Sequence, residues 1–449
     1  FFYHKTLVRY FTLKTCFLAP FNVYYFLSIY AKLGTLERVK TMRVCELFAG
    51  VGGFRVGLER YSNEFETIFF NQWEPSYKTQ FAYNCYVHNF GLESIPANVR
   101  KYTNVDVHTI PKEELPDFDL LVGGFPCQNY SVAGPKSSRG IEGEKGVLWW
   151  DIRSTLETKS PSYVLLENVD RLLKSPASQR GRDFGIILKC FDELDYNVQW
   201  RVINAAEYGK PQKRRRTFIF AYKRNLSYAA TNNNFFDIMF PCTYTGPVRT
   251  SDIDSVNVSE ISDHYTFQFE KSGNMINGII TSQDIKTPSI ESNTRTLGSI
   301  LVAAPDNSFD IENETPWIKA KGSKKKERTT KEGYTYTFSE GSCPYPDNEN
   351  VPARTMLTSE GTTNRSSHVV CDPVTHHKRI LQPIEAERIQ TFPDNWTAYG
   401  TLILEDGQTI ETTLTNRQRY FLMGNALVTE LITDMAPEIL RIYNKEHGN

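Results

Sequence analysis

From Met42 onward, short β-rich apolar runs alternate with stretches of helical length, and few folds accommodate that alternation. The runs are Val44 to Phe48, Thr67 to Phe70, Asp119 to Val122, Tyr163 to Leu166 and Phe218 to Ala221. Between several of them lie Phe54 to Tyr61, Ser76 to Phe90, Leu148 to Lys159 and Gly185 to Leu194, each long enough for a crossover helix. Strands joined by helices predict an α/β fold with a parallel sheet covered on both faces. Ligands in such folds gather beyond the carboxyl ends of the strands.

The alternation stops near Tyr222, where Asn, Ser and Thr become frequent, and a second, irregular domain begins. Within it Lys319, Lys321, Lys324, Lys325, Lys326, Arg328 and Lys331 form a basic run relieved only by Glu327. A solvated loop and a phosphate-contacting loop account for this run equally well. The whole chain carries 51 Lys plus Arg against 52 Asp plus Glu, so an anionic partner must be held by a local patch of this kind. Periodicity returns near Arg379, and Leu427, Val428, Leu431, Ile432 and Met435 share one helical face before Pro437 bends or restarts the helix. Eight cysteines, with no Cys-x-x-Cys and no close Cys/His set, argue against a zinc site or a disulfide framework. The first 41 residues are crowded with Phe and Tyr and hold a single acid, Glu37. The 17 uncharged residues between Lys14 and Lys32 sit at the short limit for a membrane span and are interrupted by Pro20, Asn22 and Ser28. Met42, one residue before the first predicted strand, instead suggests translation upstream of the true start.

Chemistry-bearing residues collect where strands end. The first strand runs into Ala49-Gly-Val-Gly-Gly53, a turn whose amides can approach a ligand, although a purely structural strand-to-helix turn fits it as well. Some 22 residues after Gly50 come Asn71, Gln72, Trp73 and Glu74, where Rossmann-like folds put a polar ribose contact. Trp73 suits stacking on adenine or a place in the core, and Asp106, closing the next short strand, suits an exocyclic amine or a plain loop. Gly123 to Ser131 places Cys127 among Gly, Pro and polar neighbours rather than in a core pattern. The strand Tyr163 to Leu166 runs straight into Glu167 and Asn168, where a partly buried carboxyl tends to keep a proton. In Gln212-Lys-Arg-Arg-Arg216, Arg214 and Arg216 fall on one face of an extended segment.

With these residues in this order, the chain from about Met42 to its end resembles the DNA cytosine-5 methyltransferases. Phe48-Ala-Gly-Val-Gly-Gly53 is similar to that family's S-adenosylmethionine loop, Pro126-Cys-Gln128 to its nucleophile motif, Glu167-Asn-Val169 to its acidic motif and Gln212 to Arg216 to its paired-arginine motif. Arg379 to Pro393 resembles the motif supporting the recognition domain, and Gly424-Asn-Ala-Leu-Val428 the closing motif, whose helix returns to the first domain. Pro352 to Thr358 resembles a segment common before the supporting motif.

The resemblance implies a Rossmann-like S-adenosylmethionine-dependent methyltransferase sheet with a smaller, irregular target-recognition domain. It divides the chain into an N-terminal extension (1–41), a catalytic and cofactor-binding domain (42–228), a target-recognition domain (229–378) and a returning segment (379–449). Cys127 would be the nucleophile, Glu167 the partner of the cytosine ring, and Arg214 and Arg216 its positioners, with Asn168 bracing the loop. Phe48, Ala49, Gly50, Gly52, Gly53, Gln72, Trp73, Asp106, Val107, Pro126, Asn425 and Ala426 would line the cofactor pocket, and no metal is implied. Gln128, Ser131, Lys324, Lys325, Lys326 and Arg328 would meet duplex DNA. Gln72 departs from the family, which typically carries Glu there for both ribose hydroxyls, so cofactor contacts through Gln72 differ or pass to Glu74. The implied enzyme methylates one cytosine within a short duplex sequence, as a monomer in the cytoplasm of a bacterial or phage-infected cell, paired with a cognate restriction endonuclease and independent of membranes. Three rivals fit less well. A transfer-RNA branch of the family would carry Cys-Phe-Thr, which does not occur; a catalytically silent DNA-binding protein would not need all four catalytic positions; a thiol redox enzyme lacks a resolving cysteine near Cys127.

Overall fold

A strand covered on both faces must be apolar on both, and β1 (Met42–Leu47) exposes only Arg43. It lies between β2 (Phe65–Asn71) and β3 (Leu120–Gly124), and β4 (Tyr163–Val169) follows β3, all four parallel. The computed structural model describes residues 41–125 and 148–448, apart from positions 232, 254, 290–293, 330–332, 334 and 373. The N-terminal extension, save Thr41, therefore lies outside the described residues.

Beyond β4 the sheet differs from the parallel arrangement expected. β5 (Tyr196–Asn204) and β6 (Arg215–Lys223) are antiparallel to each other, and β6 is antiparallel to β4. The link between them, residues 205–214, is too short for a crossover helix, so the chain must double back. Three more strands, β7 (Thr243–Asp252), β8 (Ser272–Ile276) and β9 (Ile279–Lys286), complete a nine-stranded sheet in the order β2-β1-β3-β4-β6-β5-β8-β9-β7. The Asn/Ser/Thr-rich stretch after Tyr222 thus continues the sheet. Polar side chains of β5 anchor it. Arg201, fully buried, donates to Ser272 Oγ at 3.1 Å and Phe240 O at 3.0 Å and pairs with Asp237, while Gln199 Oε1 accepts the Phe235 amide at 2.7 Å.

Helices cover both faces. On one, α1 (Gly53–Tyr61) packs against the C-terminal helix so closely that a Cβ on Gly57 would stand 2.5 Å from Ile432 Cβ. Their core joins Val44, Phe54, Leu58, Leu431, Ile432 and Met435. The opposite face holds α2 (Phe81–Phe90), α3 (Leu148–Lys159) and α4 (Arg182–Glu193) over Cys45, Leu47, Leu121 and Val164. A third core ties Val51 and Phe81 to Leu297, Met356, Ile389, Phe392 and Met423, joining the start of the sheet to the last third of the chain. The C-terminal helix, Thr429–His447, runs on through Pro437 rather than restarting there.

Candidate active site at the carboxyl edge of the sheet

Strand register brings the motifs to one edge. Leu47 aligns with Asn71 on one side and Gly123 on the other, and Gly124 aligns with Glu167, so all four strand ends open in the same direction. Phe48, at φ 56°, and Gly50, at φ 58°, turn the chain sharply after β1. A Cβ on Gly50 would meet nothing within 4 Å, which leaves that side of the turn open to a ligand. Gly52 and Gly53 are glycine for a different reason: a Cβ there would stand 2.4 Å from the Phe90 ring and 3.1 Å from Leu427.

Gln72 is buried, and its Oε1 accepts the Gly50 amide at 2.7 Å, so the residue that departs from the family shapes the glycine turn itself. Its Nε2 has no partner among the described residues. Trp73 beside it is 37% exposed rather than a core residue. Glu74 is half-buried, and burial raises its pKa. Asp106 does not close a strand; it caps the short 3₁₀ turn Val107–Thr109, accepting the His108 amide at 3.1 Å. The Val107 side chain belongs to the core, which leaves only its backbone for a cofactor. Asn71, which the sequence placed only within the ribose-contact stretch, donates from Nδ2 to Tyr102 O and Val105 O at 2.9 Å and holds this loop against the strand ends. An amide closing a buried strand was the available signal. Across the turn, Ala49 is buried, Asn425 exposed and Ala426 half-buried. An open glycine turn, an exposed indole, a capped carboxylate turn and an exposed amide fit an adenosyl ligand. Among the described residues no His/Cys/Asp/Glu group suits a metal.

At the next strand end, Glu167 Oε1 lies 2.7 Å from Arg216 Nε, both side chains retaining limited exposure. Asn168, buried, donates from Nδ2 to Phe125 O at 2.8 Å and accepts the Val169 amide at 2.8 Å. It therefore fixes the last residue described before Pro126 and Cys127. Pro126, Cys127, Gln128 and Ser131 themselves lie outside the described residues.

Arg214, like Arg216, turns inward between exposed neighbours, Lys213 and Arg215. It is fully buried, with Nη1 donating to Met356 O at 3.0 Å and Nη2 to Gly424 O at 3.1 Å. Burial, reinforced by the charge of Arg216, pushes its pKa down to about 9. Arg214 is thus a strut between the Pro352 to Thr358 segment and the closing motif. Gln212 works beside it, donating to Gln390 Oε1 at 3.0 Å and accepting the Met356 amide at 3.0 Å. Arg379 and Glu385 of the supporting motif form a buried double ion pair at 2.7 and 2.8 Å.

From Lys324 to Arg328 the basic run is not a loop, and Lys331 lies outside the described residues. Lys324, Lys325, Lys326 and Arg328 stand on an exposed strand, β10 (Lys324–Thr329), paired antiparallel with β11 (Thr335–Glu340) as a two-stranded ribbon. Arg328 stacks on Phe338 at 3.9 Å. Lys321, by contrast, is buried and paired with Asp347 at 3.1 Å. Among the described residues, no helix is long and apolar enough to cross a membrane.

Comparison with known proteins adds the following. The profile of the C-5 cytosine-specific DNA methylases matches residues 42–441. The Type II methyltransferase M.Sau3AI of Staphylococcus aureus is 44% identical over 422 residues, covering 89% of this chain and 96% of that protein. The Type II methyltransferase M1.ScrFI of Lactococcus lactis subsp. cremoris is 25% identical over 418 residues, 93% of this chain and 83% of that one. The crystal structure of the S. pombe Dnmt2 methyltransferase superposes with a TM-score of 0.54 over 89% of this chain and 98% of its own, at 13% identity, a likeness of fold alone.

Proposed function

The chain belongs to the C-5 cytosine-specific DNA methylase family, whose activity is methyl transfer from S-adenosylmethionine to cytosine C5 in DNA, and from that premise we propose how its own residues divide the work. Cytosine C5 is too weak a nucleophile to take a methyl group directly. The Cys127 thiolate adds to C6, forming a C–S bond, while a proton from Glu167 goes to N3, so that electron density moves to C5. Arg216, held 2.7 Å from Glu167, donates to the ring O2. Asn168 keeps Phe125, and hence the start of the nucleophile motif, in line with this pair. S-adenosylmethionine supplies the methyl group from its sulfonium. Phe48, Ala49, Gly50, Trp73, the Asp106 to Val107 turn, Pro126, Asn425 and Ala426 hold it, and the free Nε2 of Gln72 donates to one ribose hydroxyl. Once C5 is methylated, a water molecule takes its proton, the C6–S bond breaks with its electron pair leaving on the Cys127 thiolate, and the N3 proton returns to Glu167.

A base inside a duplex must be extruded to reach this edge, at a cost of a few kcal/mol. Contacts from Gln128 and Ser131, and phosphate contacts from Lys324, Lys325, Lys326 and Arg328 on the exposed ribbon, offset that cost. We assign target recognition to residues 229–378. The reading extends to a monomeric enzyme acting in the cytoplasm of a bacterial or phage-infected cell on a short duplex sequence, alongside a cognate endonuclease. What carries it is the Glu167 and Arg216 pair, set at the strand ends where Phe125 leads into Cys127. Incubation with labelled S-adenosylmethionine and separate pools of duplex DNA and transfer RNA tests it: label enters DNA, whereas label in RNA with DNA unlabelled overturns the substrate assignment.

A further inference from the structure

Asp151, in the first turn of α3, is a carboxylate on the buried side of the helix with Trp149, Ile152, Thr155 and Leu156, and it is only 7% exposed. A charge in such a place needs partners. Both of its partners come from one five-residue stretch that continues the Asp106 turn. His108 Nδ1 lies 2.6 Å from Asp151 Oδ2, and Lys112 Nζ lies 3.4 Å from Oδ1. Lys112, itself buried, also donates to Val107 O at 2.5 Å. Asp106 closes the turn from within, its backbone oxygen accepting the Thr109 amide at 2.9 Å and the Thr109 hydroxyl at 2.7 Å. One helix carboxylate therefore grips the turn twice, once at its middle through His108 and once at the Val107 carbonyl through Lys112.

We propose that Asp151 is a positioning residue for the methyl donor: through His108 and Lys112 it fixes the Asp106 to Val107 turn in the shape that takes the adenine, and so sets cofactor affinity. The proposal rests on the reading of that turn as a cofactor contact. His108 gives the grip a pH dependence. The Asp151 partner raises its pKa and partial burial opposes the rise, while Asp106 adds to it and Lys112 works against it. The imidazolium is present at low pH and lost as pH rises through that raised value, so the grip and the affinity weaken toward alkaline pH.

Calorimetric binding of S-adenosylmethionine and S-adenosylhomocysteine to the full chain, with steady-state kinetics, tests the assignment. Asp151→Asn keeps the shape and removes the charge; it weakens donor binding about tenfold, with the loss falling on KM for the donor rather than on kcat. His108→Gln, at a partly exposed side chain, weakens binding less and flattens its fall as pH rises above the ordinary imidazole range. If Asp151→Asn does not fold, the pH profile of His108→Gln decides alone. Native donor affinity in both variants, or a loss confined to kcat, overturns the proposal. Asp106→Ala separates the two levels. Should it leave donor affinity intact, the cofactor reading of the turn fails and the proposal with it; should it abolish affinity while Asp151→Asn and His108→Gln retain it, the proposal alone fails.

Discussion

Replacing Gly424 by Ala tests how tightly the returning segment is locked onto the rest of the enzyme. An added Cβ would stand 2.3 Å from Thr358 N, 2.5 Å from Leu357 C and 2.5 Å from Thr358 Cα. All three are backbone atoms, so no rotamer change relieves the clash, and the two segments must part by about 1 Å to reach ordinary contact. Arg214 spans that gap, with one Nη on Met356 O and the other on Gly424 O. Overpacking of this kind costs about 1–3 kcal/mol. Losing one charge-assisted hydrogen bond from a fully buried guanidinium adds about 1.5–3 kcal/mol. Together these predict a destabilisation of about 4 kcal/mol, or about 5 °C in melting temperature for a folded unit of this size. Differential scanning calorimetry reads the shift, and KM for the methyl donor should rise with it because Asn425 follows directly. Gly341→Ala is the control, since a Cβ there meets nothing within 4 Å. A Gly424→Ala protein melting within about 1 °C of the parent, with unchanged KM for the donor, would refute the reasoning.

Other consequences are equally accessible. Glu46, fully buried in β1, has its carboxyl pKa pushed up to about 7 by burial, against 4.5 when free. Its proton is held longer in the folded state, so its contribution is complete below about pH 4.5 and is lost as pH rises through about 7, a swing of about 3 kcal/mol. Glu46→Gln should therefore flatten the pH dependence of melting and melt higher than the parent at alkaline pH, and an unchanged profile would contradict the assignment. Gln72→Glu keeps the acceptor for the Gly50 amide and lets both ribose hydroxyls donate to a carboxylate, so calorimetry should find donor binding tightened about three- to tenfold; equal or weaker binding argues against a ribose contact. Charge reversal of Lys326 and Arg328 on the ribbon should weaken duplex binding and lower its salt slope by about 2, without moving donor affinity. An unchanged salt slope removes the ribbon from the DNA interface.

The strand ends were readable because a buried strand that stops at Glu167-Asn168, or at a glycine turn, leaves polar residues where a core pattern would continue. β5 was not. Tyr196, Val198, Trp200 and Val202 alternate along it with Asn197, Gln199 and Arg201, the pattern of a strand with one face in water, yet both faces are buried, and only contacts with residues 235–277 reveal why the polar side chains fit there. β10 failed to register for the opposite reason, because every residue on it is exposed and no hydrophobic period exists to read. Arg214 and Arg216 are the same residue type two positions apart. Their different fates, strut and partner of Glu167, depend on Met356 and Gly424, which lie 142 and 210 residues away in sequence. The departure at Gln72 was visible as a change of residue, whereas its bond to Gly50 required the turn to be seen.

The most direct measurement is a covalent trap. A duplex in which the target cytosine is replaced by 5-fluorocytosine is incubated with the protein and S-adenosylmethionine, and the product is analysed by denaturing mass spectrometry and peptide mapping. After methylation C5 carries fluorine in place of the proton that must leave, so the account predicts a stable protein–DNA adduct mapped to Cys127 and absent from Cys127→Ser. A Cys127→Ser enzyme that still methylates DNA at near-parental rate, or an adduct mapped to another residue, would contradict it.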